Sequence, residues 1–185
     1  RAVEQIRQQQ TRSCQRPCTR ENCKGRKVMG YRSDVSIIVA FDNLDNMKEV
    51  LAVYLLDPRV KEHELMQHWN VHKYNTSKDA SYMSDAVYYL KLNECDWKWY
   101  DSYDDVQGLK YLYELADKFV EERENFDVGW KEISIGEDGA IMMEQGLSND
   151  TLQAFCDDML DYTTPEIYWS SGGSKINITL EKESA

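Results

Sequence analysis

The sequence feature that most constrains the fold is a helical stripe near the middle of the chain. Between residues 104 and 124, apolar side chains recur every three or four positions: Val106, Leu109, Leu112, Tyr113, Ala116, Phe119 and Val120. This spacing places them along one side of an α-helix, and that side must be buried against another element. The preceding residues, 86–92, predict a strand that is apolar on both faces and therefore covered on both sides. The pattern thus predicts a sheet with a helical layer packed on it.

The composition indicates one ordinary domain with a basic appendage. A chain of 185 residues, 42% of them hydrophobic, is long and apolar enough to bury a core without disulfide bonds. Residues 1–33 hold nine Lys/Arg and two Glu, whereas residues 34–185 hold 13 Lys/Arg and 31 Asp/Glu. We therefore predict a basic, cysteine-containing arm, 1–33, joined to an acidic domain, 34–185, with the boundary near Asp34.

The location of the protein is predicted from its apolar runs and its cysteines. No run approaches the ~18 apolar residues that span a bilayer, and no secretory pattern is present, so we expect no membrane association. Five cysteines are an odd number, which favours a reducing compartment and a cytoplasmic location. Three glycosylation-type triplets, at Asn75, Asn149 and Asn177, point the other way, but this motif is short and often arises by chance.

The first half of the domain predicts a strand followed by two helices. Residues 35–41 are apolar on both faces, which is typical of a central strand. Asn43 or Asp45 can cap the helix that follows, and Asp57 with Pro58 can begin a second helix that extends to Trp69. Residues 75–85 are polar and predict a loop. In the later helix 104–124, Gly108 costs up to ~1 kcal/mol relative to alanine, without a reason visible in the sequence.

The C-terminal part predicts two hairpins separated by a helix. Strands at 128–135 and 140–145 flank a glycine-containing turn, and strands at 166–170 and 175–180 flank another. A helix capped at Ser148 or Asn149 is expected to reach Tyr162. Helical crossovers between the earlier strands allow parallel neighbours, whereas hairpins are antiparallel. We therefore predict an α+β domain with a mixed sheet, two C-terminal hairpins and helices mostly on one face.

An acidic aromatic segment supplies the first candidate binding surface. Residues 94–124 carry ten Asp/Glu against four Lys/Arg. Carboxylates on a rigid surface can imitate phosphates, and exposed indoles can anchor a partner. The candidate binding residues are Asp96, Trp97, Trp99, Asp101, Asp104, Asp105, Glu114 and Asp117. The alternative interpretation, which we favour for the indoles, is that both tryptophans continue the strand into the core while the acids are merely solvated.

Three closely spaced cysteines predict a possible zinc site. Cys14, Cys18 and Cys23 lie on a basic segment, which lowers thiolate pKa, and His68 can supply the fourth ligand. The spacing is not that of standard zinc fingers, so free or partly oxidised thiols are the alternative. His63 and His68 are five residues apart, which does not fit the metalloprotease spacing on one helix face.

The basic segment 12–27 is a candidate for phosphate contact. Its Arg and Lys side chains can neutralise nucleic-acid phosphates, but no aromatic residue precedes Tyr31 to stack on bases. Contact with the acidic body is the alternative. At the end of the first strand, Asp42 and Asp45 can hold Mg²⁺, although helix capping explains acids and amides there better.

These features favour a non-enzymatic interaction protein. No phosphate-binding glycine loop, nucleophile elbow or zinc-protease motif is present. The charge balance resembles that of small viral or phage inhibitors that mimic DNA, a likeness in composition without a shared motif. We expect the acidic surface to bind a basic partner protein. The alternatives are a nucleic-acid-binding accessory protein with a zinc-stabilised arm and, third, a metal-dependent enzyme that uses Asp42.

Overall fold

A computed structural model describes residues 31–76, 85–146, 150–163, 166–170 and 173–178. The strands are β1 Ser33–Phe41, β2 Asn70–Asn75, β3 Ala86–Trp97, β4 Val128–Gly136, β5 Ile141–Gln145, β6 Leu160–Thr163, β7 Glu166–Trp169 and β8 Ser174–Lys175. The helices are α1 Leu44–Tyr54, α2 Pro58–Glu62, α3 Asp104–Glu122 and α4 Asp150–Met159, with a 3₁₀ helix at Leu65–His68. The predicted zinc ligands Cys14, Cys18 and Cys23 lie outside the described residues, as does the segment 12–27 that we predicted to contact phosphate.

Six strands form one antiparallel sheet in the order β5-β4-β1-β3-β2-β8, and β6 pairs with β7 in a separate hairpin. Helices connect β1 to β2 and β3 to β4. The part β4-β1-β3-β2 therefore has the β-α-β-β-α-β arrangement of ferredoxin-like folds. The predicted α+β class is confirmed.

The described strands include no parallel pair, although the sequence predicted a mixed sheet. The difference comes from β2, which lies between the predicted helix ending at Trp69 and the predicted loop 75–85 and was not predicted as a strand. Its pattern is weak because Val71 is its one fully buried side chain. β2 pairs antiparallel with β3, which follows it in the chain, so β3 runs antiparallel to β1.

The core has one layer on each side of the sheet. Val39 and Phe41 of β1 pack with α1, α2 and α3, whereas Ile38 and Ala40 pack with α4 on the opposite side. All four side chains are fully buried, as expected for a covered central strand. Three of the four described helices share one side, which confirms that the helices lie mostly on one face.

The helix starts follow the capping signals in the sequence. The Asn43 side chain accepts a hydrogen bond of 2.8 Å from the Asn46 amide at the start of α1. Asp57 caps α2, with Pro58 in its first turn. Gly108 also has a structural reason, because a Cβ there would lie 2.3 Å from Leu65 Cδ1 of the 3₁₀ helix. Close packing of α3 on this segment therefore explains the glycine.

The C-terminal hairpins are partly as predicted. β4 and β5 form the expected hairpin, with Ile135 opposite Ile141. The predicted hairpin between 166–170 and 175–180 is wrong, because α4 ends at Met159 and the chain continues directly into β6, which pairs with β7. β8 instead adds to β2, where Lys175 lies opposite His72. Among the described residues, no helix is long and apolar enough to cross a membrane.

Candidate functional site

Three tryptophans on the side of α3 each donate an indole hydrogen bond to a carboxylate. Trp97 Nε1 donates to Asp105 at 3.1 Å, and Trp99 Nε1 donates to Glu132 at 2.9 Å. Trp130 Nε1 donates to both carboxylate oxygens of Asp117, at 3.0 and 2.9 Å. Four of the predicted binding residues, Trp97, Trp99, Asp105 and Asp117, are therefore part of the framework between β3, α3 and β4.

Glu132 is the centre of a buried polar network that the sequence analysis missed. This carboxylate is only 3% exposed, and it accepts hydrogen bonds from Trp99 and, at 2.9 Å, from the Tyr113 hydroxyl. Lys110 Nζ lies 3.6 Å from Glu132 and 3.0 Å from Asp101. The sequence does contain a signal, because two consecutive charged residues, Lys131 and Glu132, stand in the middle of a mostly apolar strand.

The pKa shifts in this network follow from burial and from its partners. Burial raises the pKa of Glu132, and Lys110 and the two hydrogen-bond donors oppose that rise. Burial lowers the pKa of Lys110, but the surrounding carboxylates outweigh it and the net shift is upward. Burial also raises the pKa of Asp117, although the bond from Trp130 opposes the shift. Each buried charge here therefore has a partner that stabilises it.

The exposed carboxylates beside this network form what we call the acidic face. It consists of the exposed acids on and around α3 and one on β5: Asp101, Asp104, Glu114, Glu121, Glu122 and Glu144. Asp101 is 81% exposed, and Glu144 lies 3.9 Å from Lys110. Lys110 itself is only 14% exposed, so its charge is directed inward. Asp101, Asp104 and Glu114 are exposed, as the sequence predicted. Their proximity to Glu144, which lies on β5, could not be predicted from the sequence.

Asp96 has a structural role at the end of β3. It has a left-handed backbone with φ of 60°, and its amide donates a hydrogen bond of 3.0 Å to Asp34. Arg32 Nη1 lies 3.4 Å from the Asp96 carboxylate. The adjacent Tyr31 donates its amide to the Tyr100 hydroxyl at 2.8 Å. These contacts hold the entrance to β1 against the connector between β3 and α3.

The residues proposed as metal ligands are not brought together within the described residues. His68 Nδ1 lies 2.9 Å from Glu94 Oε1, and its ring packs edge-on against Trp97 at 4.9 Å. In the described ranges, no group of three or more His, Cys, Asp or Glu side chains is placed to hold a metal. Cys95 is disulfide-bonded, and Cys156 is free and buried.

Asp42 lies at the edge of a cleft of about 590 Å³ that Asn75, Asp85 and Tyr88 also line. Its Oδ1 accepts hydrogen bonds of 3.0 Å from the side-chain amides of Asn43 and Asn46. These bonds connect Asp42 to the first turn of α1. The arrangement fits the capping interpretation that the sequence favoured over a magnesium site.

Comparison with protein-family models, curated proteins and solved structures gave no match to this chain.

Proposed function

We propose that the acidic face binds the basic surface of a partner protein, as a nucleic acid would. The observation that carries this proposal is the excess of exposed carboxylates around α3. All six carboxylates of the acidic face are exposed, against the exposed cations Lys118 and Arg123. Lys110 is largely buried and lies near Asp101 and Glu132. The exposed surface here is therefore net negative, and complementary charge accelerates encounter with a basic partner.

Rigidity supports the same proposal. The indole bonds to Asp105 and Asp117, together with the bond from Tyr113 to Glu132, fix α3 relative to β3 and β4. Exposed carboxylates on a fixed helix keep constant spacings, which is what imitation of a phosphate backbone needs. A preorganised surface also loses less conformational entropy on binding than a mobile one. The proposed activity is inhibition of a nucleic-acid-binding protein by occupation of its basic groove.

The direct test uses a double variant of the acidic face, Asp104→Asn with Glu114→Gln. Proteins retained from an extract of the source are identified on immobilised wild type, and the binding of each purified candidate is then measured by calorimetry. We expect the double variant to bind its partner about three- to tenfold more weakly, because each exposed charge pair contributes about 0.2–1 kcal/mol. Duplex DNA should compete for the same partner.

The matched control is Asp150→Asn with Asp161→Asn, which removes the same charge from the opposite side of the molecule. Both residues are exposed, on α4 and β6. We expect this control to bind like the wild type. Equal weakening in both double variants would contradict a role for the acidic face, as would an affinity that is unchanged between about 50 and about 500 mM salt.

The second candidate is a nucleic-acid-binding accessory protein with a zinc-stabilised arm. It is supported by the anchoring of Tyr31 and Arg32, which places the end of the predicted arm beside Asp96 and Tyr100. We propose zinc bound by Cys14, Cys18, Cys23 and His68 in protein whose thiols are all reduced, and phosphate contact through 12–27. Metal analysis of the purified protein tests it. Absence of zinc, together with unchanged nucleic-acid binding after all three cysteines become serine, would remove this candidate.

The cytoplasmic location also stays a proposal. It follows from the odd number of cysteines, whereas the disulfide bond of Cys95 is of a kind that persists in oxidising compartments. Counting free thiols in protein isolated from its source under acid quench distinguishes the reducing cytoplasm from an oxidising compartment. A reactive Cys95 thiol supports the cytoplasm, and a protected one argues against it.

A further inference from the structure

A cluster of basic side chains lies on the opposite side of the sheet from α3. The strand register places Asn70 opposite Lys91, and His72 opposite both Tyr89 and Lys175. Side chains two residues apart on a strand share a face, so Lys91 lies beside Tyr89, whose ring packs against Phe155 of α4. We call Lys91, Lys175 and His72 the cationic cluster.

The cationic cluster has no acidic partner within the described part of the chain. No carboxylate there forms an ion pair with Lys91, Lys175 or His72. Yet residues 34–185 hold 31 Asp/Glu against 13 Lys/Arg, so acidic partners are abundant. Lys175 donates to the Asn70 side-chain oxygen at 2.5 Å.

Lys91 and His72 are held in place by aromatic rings. Lys91 Nζ lies 3.8 Å from the centre of the Trp169 ring, which is a close cation–π contact. The Trp169 nitrogen in turn lies 3.3 Å from Ser36 Oγ, so the ring is fixed to the sheet. The His72 ring stacks on Tyr89 at 5.0 Å with 14° between the planes.

His72 also has a buried nitrogen without a hydrogen-bond partner. The atom is Nδ1, one of two such side-chain atoms among the described residues. A buried polar atom left unpaired is costly, so each instance calls for an explanation. Burial, with Lys91 and Lys175 nearby, lowers the pKa of His72, while burial alone lowers the pKa of Lys91 to about 8. Lys91 thus remains a cation at neutral pH although it is partly desolvated and has no ion pair with a described carboxylate.

We propose that the cationic cluster binds the phosphate group of a small phosphomonoester or of inorganic phosphate. Lys91 and Lys175 supply two ammonium charges for the dianion. Asn70, opposite Lys91, and His72, opposite Lys175, lie beside them on the same face of the sheet. A phosphate group has three strong acceptor oxygens and can accept hydrogen bonds from several donors at once. A carboxylate has only two such oxygens. The partly exposed Trp169 ring offers a stacking surface for an aromatic base, if the phosphate belongs to a nucleotide.

Titration calorimetry with inorganic phosphate tests this site at constant ionic strength. We expect saturable binding to the wild type, with a dissociation constant on the order of 1 mM. Lys91→Met should weaken it at least tenfold, and Lys175→Gln, at an exposed position, about threefold. Lys118→Gln, an exposed lysine of α3, removes the same charge and should leave binding unchanged.

Two further ligands identify the source of the phosphate and the specificity of the site. Tighter binding of adenosine monophosphate than of inorganic phosphate supports a nucleotide site, and equal binding supports recognition of the phosphate group alone. The proposal is overturned if phosphate does not saturate the wild type, if chloride displaces it equally well, or if Lys118→Gln weakens it as much as Lys91→Met. Circular dichroism of each variant confirms that the fold is retained.

Discussion

Two partly buried lysines on opposite sides of the sheet have contrasting surroundings. Lys110 lies 5.9 Å from the Trp99 ring, with Asp101, Glu132 and Glu144 between 3.0 and 3.9 Å away. Lys91 lies 3.8 Å from the Trp169 ring and forms no ion pair with a described carboxylate. The pKa of Lys110 is raised, whereas that of Lys91 is lowered to about 8. Described carboxylates compensate the charge of Lys110, whereas none of them pairs with Lys91.

The difference between the two lysines distinguishes a charge that supports the fold from a charge that we assign to ligand binding. A buried charge with a full set of partners contributes to a specific packing, and its loss destabilises the fold. A desolvated charge without a partner lowers stability, so we infer that it is kept for a ligand. The polar residues around Glu132 are therefore assigned to the framework that supports the acidic face. The cationic cluster is assigned to binding.

The largest effect is expected on the α3 side, from Glu132→Ala. This change leaves Trp99 and Tyr113 without their acceptor and Lys110 without its buried partner. We expect the free energy of unfolding to fall by about 3 kcal/mol, measured by urea denaturation. Glu132→Gln keeps a side-chain oxygen and should lose less. A loss below about 1 kcal/mol for the alanine variant would show that this network is not structural.

A smaller loss is expected when Trp130 loses its acceptor. Asp117→Ala removes both oxygens that accept from the Trp130 indole, which is 7% exposed and stacks on Tyr113 at 4.0 Å. We expect a loss of about 1–2 kcal/mol in the free energy of unfolding, whereas Asp117→Asn, which keeps one oxygen, should lose about half of that. If both substitutions have the same effect, charge rather than the hydrogen bond is what matters at this position.

On the other side of the sheet, Lys91→Met should stabilise the protein. The substitution removes a desolvated cation but keeps the packing under Trp169, and we expect a gain of roughly 1 kcal/mol at about pH 7 after allowance for solvent screening. Folding lowers the pKa of Lys91, so the wild type regains stability as the pH rises from about 8 towards the ordinary value of 10.5. The difference in the free energy of unfolding between wild type and variant should therefore narrow over that pH range. A gap that stays constant with pH would contradict the assignment.

The smallest effect on stability is expected at the acidic face itself. Asp104 and Glu114 are exposed, and neither forms an ion pair among the described residues. Asp104→Asn with Glu114→Gln should change the free energy of unfolding by less than about 0.5 kcal/mol, while it weakens binding of a basic partner. A large loss of stability would place these residues in the framework and remove the distinction between framework and surface.

The local patterns of the sequence predicted the elements with strong periodicity. The stripe of α3, the apolar faces of β1 and the caps at Asn43 and Asp57 depend on neighbours in sequence, and all are found in the structure. β2 could not be predicted because its residues are mostly polar, and its pairing with β3 is what decides the strand order. The reason for Gly108 was equally hidden, since it is a contact with Leu65.

The candidate sites were predicted less well, because they depend on contacts between distant segments. Trp97 and Trp99 were candidate anchors for which we favoured a core role, and they pack against the core and bond to Asp105 and Glu132. The cationic cluster combines residues of β2, β3 and β8, which no local pattern connects. A charged residue inside an apolar strand, such as Glu132, was the one available signal. Such a residue indicates that a buried partner exists, but the sequence does not show which residue that partner is.

Lys110 is compensated by carboxylates, whereas Lys91 forms no ion pair within the described part of the chain. The most direct test compares Lys110→Met, Lys91→Met and the wild type by urea denaturation at about pH 7, without phosphate and with about 50 mM phosphate against matched ionic strength. We predict opposite signs without phosphate, namely a less stable Lys110→Met and a more stable Lys91→Met. Phosphate should stabilise the wild type and Lys110→Met by about 2 kcal/mol, and Lys91→Met by at least about 1 kcal/mol less. Two losses of similar size, with the same response to phosphate in all three proteins, would contradict the claim.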